Sequence, residues 1–338
     1  MTEKEPMQQR KLDHLHIVRE RPVEPGPSSF DRFALPYRAL PEIDLGAIDT
    51  TTTFLGKQLA FPFLISSMTG GPQKAGHINR NLAVAAEEAK VALGLGSMRV
   101  IARDPSAAAS FQVRDLCPSI PLLANLGLVQ LNEGWGAEEI NGLIDAVQAD
   151  GIFLHVNPLQ EAIQPEGDTN FAGLVKRLSE VLPHVKAPVI VKEVGAGIDP
   201  VSASMLVEAG VTWIDVAGTG GTSWAWVEGY RREDRLGHLF RGVGISTAAA
   251  LIGARDLPGV QLIGSGGVRS GLDAAKALML GASLAGSAKP FLEPALEGPA
   301  AVASLLKAYH EEFRTAMFCV GAPNLAALRA TAVVGDKA

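Results

Sequence analysis

Four side chains that could carry chemistry lie close together in the chain: His155, Asn157, Gln160 and Glu161. An imidazole, two carboxamides and a carboxylate can donate or accept hydrogen bonds and can move protons. The apolar run that precedes them predicts a buried strand, and Pro158 cannot continue a strand ladder. The cluster is therefore expected at the carboxyl end of that strand. The alternative is a loop whose polar side chains only satisfy their own backbone.

The strand before this cluster is one of a series. Short, continuous apolar runs alternate with stretches of helical pattern, as in parallel β/α units that are buried on both faces. Eight such runs in about 230 residues predict an α/β fold of the (β/α)8 TIM-barrel type. An open doubly wound sheet is the alternative, but no GxGxxG motif follows the first strand. The runs are 63–68, 91–97, 121–127, the run from 151, 188–194, 211–217, 261–267 and 282–288.

A single domain is expected, because no low-complexity linker divides the chain. The barrel is predicted over 61–293, after an N-terminal arm at 1–45 and before C-terminal helices at 294–338. The connection 218–241 is predicted to be a long loop, which on a compact barrel usually forms a lid or an interface. Helices between the strands are predicted near 76–90, 105–113, 137–149 and 171–182.

Two glycine-containing loops follow the last two predicted strands, at 265–271 and 285–288. The ends of strands seven and eight of such barrels commonly bind phosphate, and glycine lets backbone amides approach it closely. One glycine pair is weak evidence because turns also use glycine, but two loops at consecutive strand ends are stronger evidence. The sequence therefore predicts a phosphate site there.

Lys192 lies near the end of an apolar strand, where an unpaired ammonium would be costly to bury. One interpretation is an ion pair with Glu193 or Asp215. The other places Lys192 beside the N1/O2 edge of a flavin, where it would stabilise negative charge on the reduced ring. Short polar side chains at other strand ends suit the polar edge of such a ring, although each taken singly could be structural. They are Ser67, Ser97, Asn125 and Thr222.

The segment before the barrel contains the cluster Arg10–His14. A solvated terminal tail is the ordinary interpretation. The functional interpretation is an arm that closes over an anionic ligand, because adjacent Arg10 and Lys11 suit phosphate oxygens.

Composition excludes several classes of protein. With 47% hydrophobic and 20% charged residues, the chain is typical of a globular enzyme. Its net charge of −6 argues against a general nucleic-acid surface. No apolar stretch predicts a membrane span, and the charged residues 1–20 do not resemble a secretory signal. Cys117 and Cys319 form no metal or disulfide pattern, so we expect buried thiols in a reducing cytoplasm.

Five motifs occur together in the order Ser67-Met-Thr-Gly-Gly71, His155-Val-Asn-Pro-Leu-Gln-Glu161, Val191-Lys-Glu-Val-Gly195, Gly220-Gly-Thr-Ser-Trp224 and Ser265-Gly-Gly-Val-Arg-Ser-Gly271. The combination resembles the type 2 isopentenyl-diphosphate isomerases, which are FMN-dependent (β/α)8 barrels. The resemblance covers most of the chain, from Arg10 to Ala288, and the pairing of the second motif with the fourth is the most specific part.

The resemblance implies a role for each of several residues. Gln160 would orient the reacting groups, and Glu228 would be an acid/base. His155 would mainly contact the substrate and would not be the sole base. Glu161 would bind Mg2+ that bridges the diphosphate. The substrate would be held by Arg10, Lys11, Ser97, Arg99, His155, Asn157 and Gln160. FMN would be held by Ser67, Met68, Thr69, Ser97, Asn125, Lys192, Thr222, Gly266, Gly267, Ser287 and Ala288.

The same resemblance implies the reaction. Isopentenyl and dimethylallyl diphosphate differ only in the position of a double bond, so one proton is added and another removed, with no net gain of electrons. The flavin would act in its reduced form, by proton exchange in its N5 region, and NADPH would serve only as the reductant that primes it. The family also implies a cytoplasmic homo-oligomer, a tetramer or octamer, that uses neither nucleic acid nor membrane as a partner.

Three other functions are compatible with parts of the pattern. A flavin-dependent 2-hydroxy-acid oxidase or dehydrogenase would need a catalytic histidine after strand six, where residues 217–222 contain none. An enzyme resembling IMP dehydrogenase would need a nucleophilic cysteine in that loop, and both cysteines lie elsewhere. A flavin-binding scaffold would leave Arg10, Lys11 and the 155–161 cluster unexplained.

Overall fold

Eight parallel strands close into a barrel, as the sequence predicts. The computed structural model describes residues 4–68, 73–232 and 234–335. An antiparallel hairpin consists of β1 Thr52–Phe54 and β2 Lys57–Leu59. The barrel strands are β3 Phe63–Ile65, β4 Ala92–Gly94, β5 Leu122–Gly127, β6 Gly151–His155, β7 Val189–Lys192, β8 Trp213–Asp215, β9 Gln261–Ser265 and β10 Leu284–Ser287. They pair in chain order, and β10 closes the barrel against β3.

Helices surround the barrel and extend beyond it at both ends of the chain. The predicted (β/α)8 TIM barrel with an N-terminal arm and C-terminal helices is confirmed. Within the described residues, no helix has both the length and the apolar composition that crossing a bilayer requires. The helices are α1 Lys4–Glu20, α2 Gln73–Ala89, α3 Val100–Arg103, α4 Ala137–Val147, α5 Pro158–Ile163, α6 Leu174–Val181, α7 Pro200–Glu208, α8 Trp224–Arg232, α9 Arg235–Phe240, α10 Thr247–Ala254, α11 Gly271–Met279, α12 Leu292–Glu297, α13 Pro299–Cys319 and α14 Leu325–Ala330.

Several helices begin where the sequence carries a capping residue. Asp199 accepts hydrogen bonds from two amides of the first turn of α7, and Pro200 occupies the first helical position. Ser246 caps α10 and Ser270 caps α11, each by accepting a hydrogen bond from one amide of the first turn. These caps fix where each connection leaves the carboxyl end of a strand and turns into a helix.

Two connections differ from the prediction. The segment 218–241 is not an irregular loop, because it contains α8 and α9. The helix predicted around 105–113 is a 3-10 segment over Pro105–Ser110, preceded by the single turn of α3. Short 3-10 segments of this kind are common connectors.

The hairpin closes the amino-terminal end of the barrel and was not predicted. Phe54 from β1 and Leu59 from β2 are buried among barrel residues that include Leu64, Leu123 and Phe153. A larger apolar layer between the strands and the outer helices forms the main core. The opposite, carboxyl end of the barrel carries the polar side chains.

The arm before the barrel is helical. Ile17 of α1 packs with Val227 of α8, and the hydroxyl of Tyr230 donates to the carbonyl of Pro22 at 3.1 Å. The apolar residues of α1 are not concentrated on one face, so the sequence alone gives no clear amphipathic signal. Contacts with α8 therefore position this helix over the mouth of the barrel.

Candidate active site

A cavity of about 280 Å3 opens at the carboxyl ends of the barrel strands, under α1. We call it the barrel-mouth cavity. Active sites of such barrels lie at this end. Glu228 does not line the cavity and is fully buried behind it, and Thr69 lies outside the described residues. The other predicted residues all line it: Arg10, Lys11, Ser67, Met68, Ser97, Arg99, Asn125, His155, Asn157, Gln160, Glu161, Lys192, Thr222, Gly266, Gly267, Ser287 and Ala288.

The loop after β9 presents bare backbone to the cavity. Gly266 and Gly267 have φ angles of +95° and +77°, which favour glycine. A Cβ on Gly266 would overlap the carbonyl oxygen of Gly218, and one on Gly267 would meet the carbonyl oxygen of Gly220 at 2.8 Å. Both positions therefore require glycine for conformation and for space. The loop fits a phosphate group that needs close approach to backbone.

Charged side chains surround this glycine loop, and the sequence did not single them out. The guanidinium of Arg269 donates to the carbonyl of Gly220 at 2.6 Å. Glu24, in the segment after α1, lies 3.3 Å from Arg269 and 3.5 Å from Lys289. The hydroxyl of Ser28 donates to the carbonyl of Gly267 at 2.7 Å. The segment that follows α1 is thus attached to the glycine loop.

Lys192 forms an ion pair with Asp215, as one of its two interpretations predicted. Its Nζ lies 3.3 Å from Oδ2 of Asp215 and donates to the backbone carbonyl of Glu193 at 2.8 Å. The carboxylate of Glu193 turns away and accepts from the backbone amides of residues 194–197. Burial raises the pKa of Glu193, although the four amides act in the opposite direction. Lys192 still lines the cavity, so the ion pair does not remove it from the site.

His155 is held in one tautomer by a chain of polar groups. Asn125 Nδ2 donates to Ser67 Oγ at 2.9 Å, which leaves Asn125 Oδ1 to accept from His155 Nδ1 at 2.8 Å. Nε2 of His155 therefore carries the lone pair. Burial, followed by the charges of Lys192 and Arg99, lowers the pKa of His155 to about 4. The ring is neutral at physiological pH.

Three cations converge on the side of the cavity that α1 covers. The ammonium of Lys11 donates to the carbonyl of Ser97 at 3.2 Å, and Arg99 forms an ion pair with Asp168. Burial, then the charges of Arg10 and Arg99, lowers the pKa of Lys11 to about 7. Burial and the charge of Arg99 also lower the pKa of Arg10. Such mutual repulsion would be relieved by a bound anion.

Gln160 is fixed at both ends of its amide. Its Nε2 donates to Oε1 of Glu228 at 2.9 Å, and its Oε1 accepts from Asn157 at 3.1 Å. Glu228 is also contacted by His14 at 2.9 Å and Arg231 at 2.6 Å. Burial opposes ionisation of Glu228, but these partners outweigh it and lower its pKa to about 2. Glu228 is therefore a buried carboxylate that orients Gln160.

Glu161 faces the cavity with oxygen atoms suited to a hard cation. Its carboxylate accepts from Asn157 Nδ2 at 2.8 Å and from the amide of Asp168 at 2.6 Å, while burial raises its pKa. The Oδ1 atom of Asn157 is buried without a hydrogen-bond partner among the described residues. No group of three or more His, Cys, Asp or Glu side chains in that part of the chain could hold a metal by itself. Mg2+ commonly binds through one carboxylate plus phosphate oxygens, which these residues fit.

Comparison with known proteins identifies the family. A family model described as FMN-dependent dehydrogenase matches residues 156–335. An isopentenyl-diphosphate delta-isomerase from Paracoccus zeaxanthinifaciens is 49% identical, with 95% of each chain covered. The enzyme of the same name from Nostoc sp. is 46% identical, and the match covers 95% of this chain and 94% of the Nostoc enzyme. The one from Methanosarcina acetivorans is also 46% identical, and the match covers 96% of this chain and 91% of that enzyme.

The chain belongs to the isopentenyl-diphosphate delta-isomerase family. The predicted resemblance is confirmed, and so is the prediction of an enzyme of the isomerase class. Solved structures of mandelate oxidase share the fold of this family member. One variant has a TM-score of 0.67 at 20% identity and covers 99% of this chain and 100% of its own. Another structure, with (S)-2-phenylpropionate, has a TM-score of 0.66 at 20% identity, and the match covers 96% of this chain and 98% of the mandelate oxidase chain.

Several residues of this isomerase-family site were missed by the sequence reasoning. His14 follows Arg10 by four positions, a spacing that places both on one helix face, but no helix was predicted there. Arg231 follows Glu228 by three positions and would have been found if α8 had been predicted. Glu24 and Gln164 line the cavity without any signal in the sequence.

Proposed function

We propose that this chain interconverts isopentenyl and dimethylallyl diphosphate with reduced FMN and Mg2+, as a step in isoprenoid biosynthesis. The observation that carries the proposal is that two groups of residues suited to bind anions line one cavity. Arg10, Lys11 and Arg99 provide one, and the glycine loop at 266–267 provides the other. A substrate diphosphate and a cofactor phosphate would bind at opposite sides of the same cavity.

The residues around the glycine loop fit FMN. Gly266 and Gly267, with Ser287 and Ala288, would hold the phosphate. When bound in its reduced form, FMN would supply an electron-rich ring that exchanges protons. Lys192 would lie at the edge of that ring that becomes negative. The remaining ring contacts would come from Ser67, Met68, Thr69, Ser97, Asn125 and Thr222.

The cation cluster fits the substrate diphosphate. The ammonium of Lys11 and the two guanidinium groups would replace repulsion between themselves by attraction to phosphate oxygens. Glu161 would share a Mg2+ ion with the diphosphate, and Asn157 Oδ1 is a further oxygen atom in need of a partner. Ser97, His155, Asn157 and Gln160 would complete the contacts with the substrate.

Proton movement is the chemistry that the polar network supports. A proton is added to the terminal alkene carbon and another is removed from the neighbouring methylene, so the substrate gains no electrons. Gln160 is oriented for this by Glu228, and His155 can accept but not donate a hydrogen bond at Nε2. Burial under α1 would exclude water from these transfers. In this scheme Gln160 and His155 would be the catalytic residues, and Glu228 would position Gln160.

Further parts of the proposal concern the whole protein. NADPH would prime the flavin. The protein would be a cytoplasmic homo-oligomer, a tetramer or octamer, with no nucleic-acid or membrane partner. It would form one domain, with an arm at 1–45, a barrel at 61–293 and C-terminal helices at 294–338.

The test is an anaerobic assay of isopentenyl diphosphate conversion, with FMN, Mg2+ and NADPH omitted one at a time. We expect conversion that requires the flavin and its reduction. The variants Q160N and E161Q should retain flavin, measured by absorbance, but lose at least about 100-fold in turnover, corresponding to roughly 3 kcal/mol. Near-normal turnover in either variant would contradict that residue's role. A protein that binds FMN but oxidises 2-hydroxy acids instead would support the oxidase alternative.

A further inference from the structure

Lys192 and Asp215 are direct neighbours on adjacent barrel strands. They are partners in the register of β7 and β8, at the ends of both strands. Lys192 is 7% exposed and Asp215 is 0% exposed. The 3.3 Å between Nζ and Oδ2 therefore lies inside the barrel, beneath the cavity.

The carboxylate of Asp215 is held on one side and faces the ammonium on the other. Ser265 Oγ donates to Oδ1 at 2.6 Å. Oδ2 has no hydrogen-bond donor among the described residues, and Lys192 is the cation within ion-pair distance in that part of the chain. The contact is therefore electrostatic, while the ammonium donates to the carbonyl of Glu193. The positive charge of Lys192 and the negative charge of Asp215 give the buried pair no net charge.

We propose that Asp215 is a positioning residue that offsets the charge of Lys192 and thereby lowers the reduction potential of the bound flavin. This rests on the proposed function, in which Lys192 lies beside the flavin ring. A cation at that edge favours the reduced, negatively charged ring, and a carboxylate 3.3 Å behind the cation weakens that preference. Asp215 does not touch the ring in this arrangement and acts through Lys192.

The reason for such an arrangement lies in the reaction. An isomerase that neither adds nor removes electrons needs the reduced ring to remain basic enough to exchange protons. An unopposed ammonium would hold negative charge on the ring too firmly and would reduce its basicity. Asp215 would set the balance between stabilising the reduced ring and leaving it reactive.

The test is the midpoint potential of the bound flavin, measured by anaerobic reductive titration against a reference dye. The variant D215N keeps the size and the acceptor for Ser265 but removes the charge. We expect reduced FMN to gain affinity over oxidised FMN by about tenfold, a rise of about 30 mV for a two-electron couple. The matched control S265A removes the hydrogen bond and keeps the charge, so its potential should change less.

A second pair of variants separates charge from structure. In a K192M background, D215N should no longer raise the potential, because the charge that Asp215 offsets is gone. An unchanged potential in D215N, or the same shift with and without Lys192, would overturn the proposal. If D215N does not fold, D215S decides the matter, and failure of both to fold would assign Asp215 to barrel stability and refute the charge role. If the wild type takes up no FMN, it is the proposed function that fails.

Discussion

At the scale of single residues, the site is defined by charged groups whose burial shifts their pKa values. Lys11 is the clearest case, because burial and two neighbouring guanidinium groups bring its pKa to about 7. A diphosphate would stabilise its ammonium form and raise that pKa again. Binding should therefore be coupled to proton uptake above pH 7.

We expect the affinity for a non-reacting diphosphate monoester to fall as pH rises. Below pH 7 the lysine is already charged, and above it the affinity should weaken by about tenfold per pH unit. Isothermal titration calorimetry at pH 6 to 9, in buffers of different ionisation enthalpy, measures both the affinity and the proton uptake. K11R is the control, because arginine stays charged over this range. Parallel pH profiles for K11R and the wild type would contradict the assignment.

Most of the site residues that the sequence predicted lie at recognisable strand ends, whereas Arg10 and Lys11 were predicted from two adjacent basic side chains. Lys192, Gln160 and Glu161 were found because each follows an apolar run. The contacts of His14 and Arg231 with Glu228 were not predicted, because they depend on how α1 packs against α8 and neither helix was predicted. For the ion pair of Lys192, both Glu193 and Asp215 were left open as partners, since sequence cannot show which carboxylate lies nearer.

At the scale of elements, the loop between β9 and α11 depends on conformations that only glycine adopts readily. Gly266 combines a positive φ with a neighbouring carbonyl that leaves no room for a Cβ. The conformational requirement can be tested apart from the requirement for space at Gly259. This residue has a φ of +72°, but no atom lies within 4 Å of the place where a Cβ would be. This second glycine therefore provides a matched control.

We expect G266A to weaken FMN binding by about 100-fold, the effect of losing roughly two charge-assisted hydrogen bonds to phosphate. G259A carries a comparable backbone strain but should bind FMN as the wild type does. Fluorescence quenching of FMN measures both affinities, and thermal unfolding shows that the variants are folded. Equal losses in the two variants would show that backbone strain, rather than the shape of the loop, governs binding.

Strand order and barrel closure could be predicted because apolar runs of this length and spacing have few alternatives. The hairpin β1–β2 and the helices α8 and α9 could not. The hairpin strands have three residues each, too few to show an alternating pattern. Residues 218–241 begin with glycines, which suggest a loop, and helix formation starts only at Trp224.

At the scale of the whole molecule, the two ends of the barrel have different tasks. The amino-terminal end is closed by Phe54 and Leu59 against strand residues, and neither of these two side chains lines the barrel-mouth cavity. The carboxyl end carries buried charged groups, among them Lys192, Asp215 and Glu228. Stability and chemistry are thus placed at opposite ends of the same strands.

This division predicts the effect of removing a side chain from the closed end. F54A should lower the free energy of unfolding by about 3–5 kcal/mol, because it empties a buried aromatic site. The affinity for FMN should not change. Chemical denaturation gives the stability, and Y37A, which truncates an aromatic side chain that is 72% exposed, should stay within about 0.5 kcal/mol of the wild type. A loss of FMN affinity in folded F54A would contradict the separation.

The position of α1 has a consequence for how the site comes into existence during synthesis. This helix precedes α8 in the chain, but the carbonyl of Pro22 beside it accepts a hydrogen bond from Tyr230, which lies 208 residues later. Ala34 likewise pairs with Val334 near the other terminus. Domains are synthesised from the amino terminus, and contacts between distant residues form late. The barrel-mouth cavity is lined by residues from Arg10 to Leu292, so it is complete only after both α1 and the end of β10 have been synthesised.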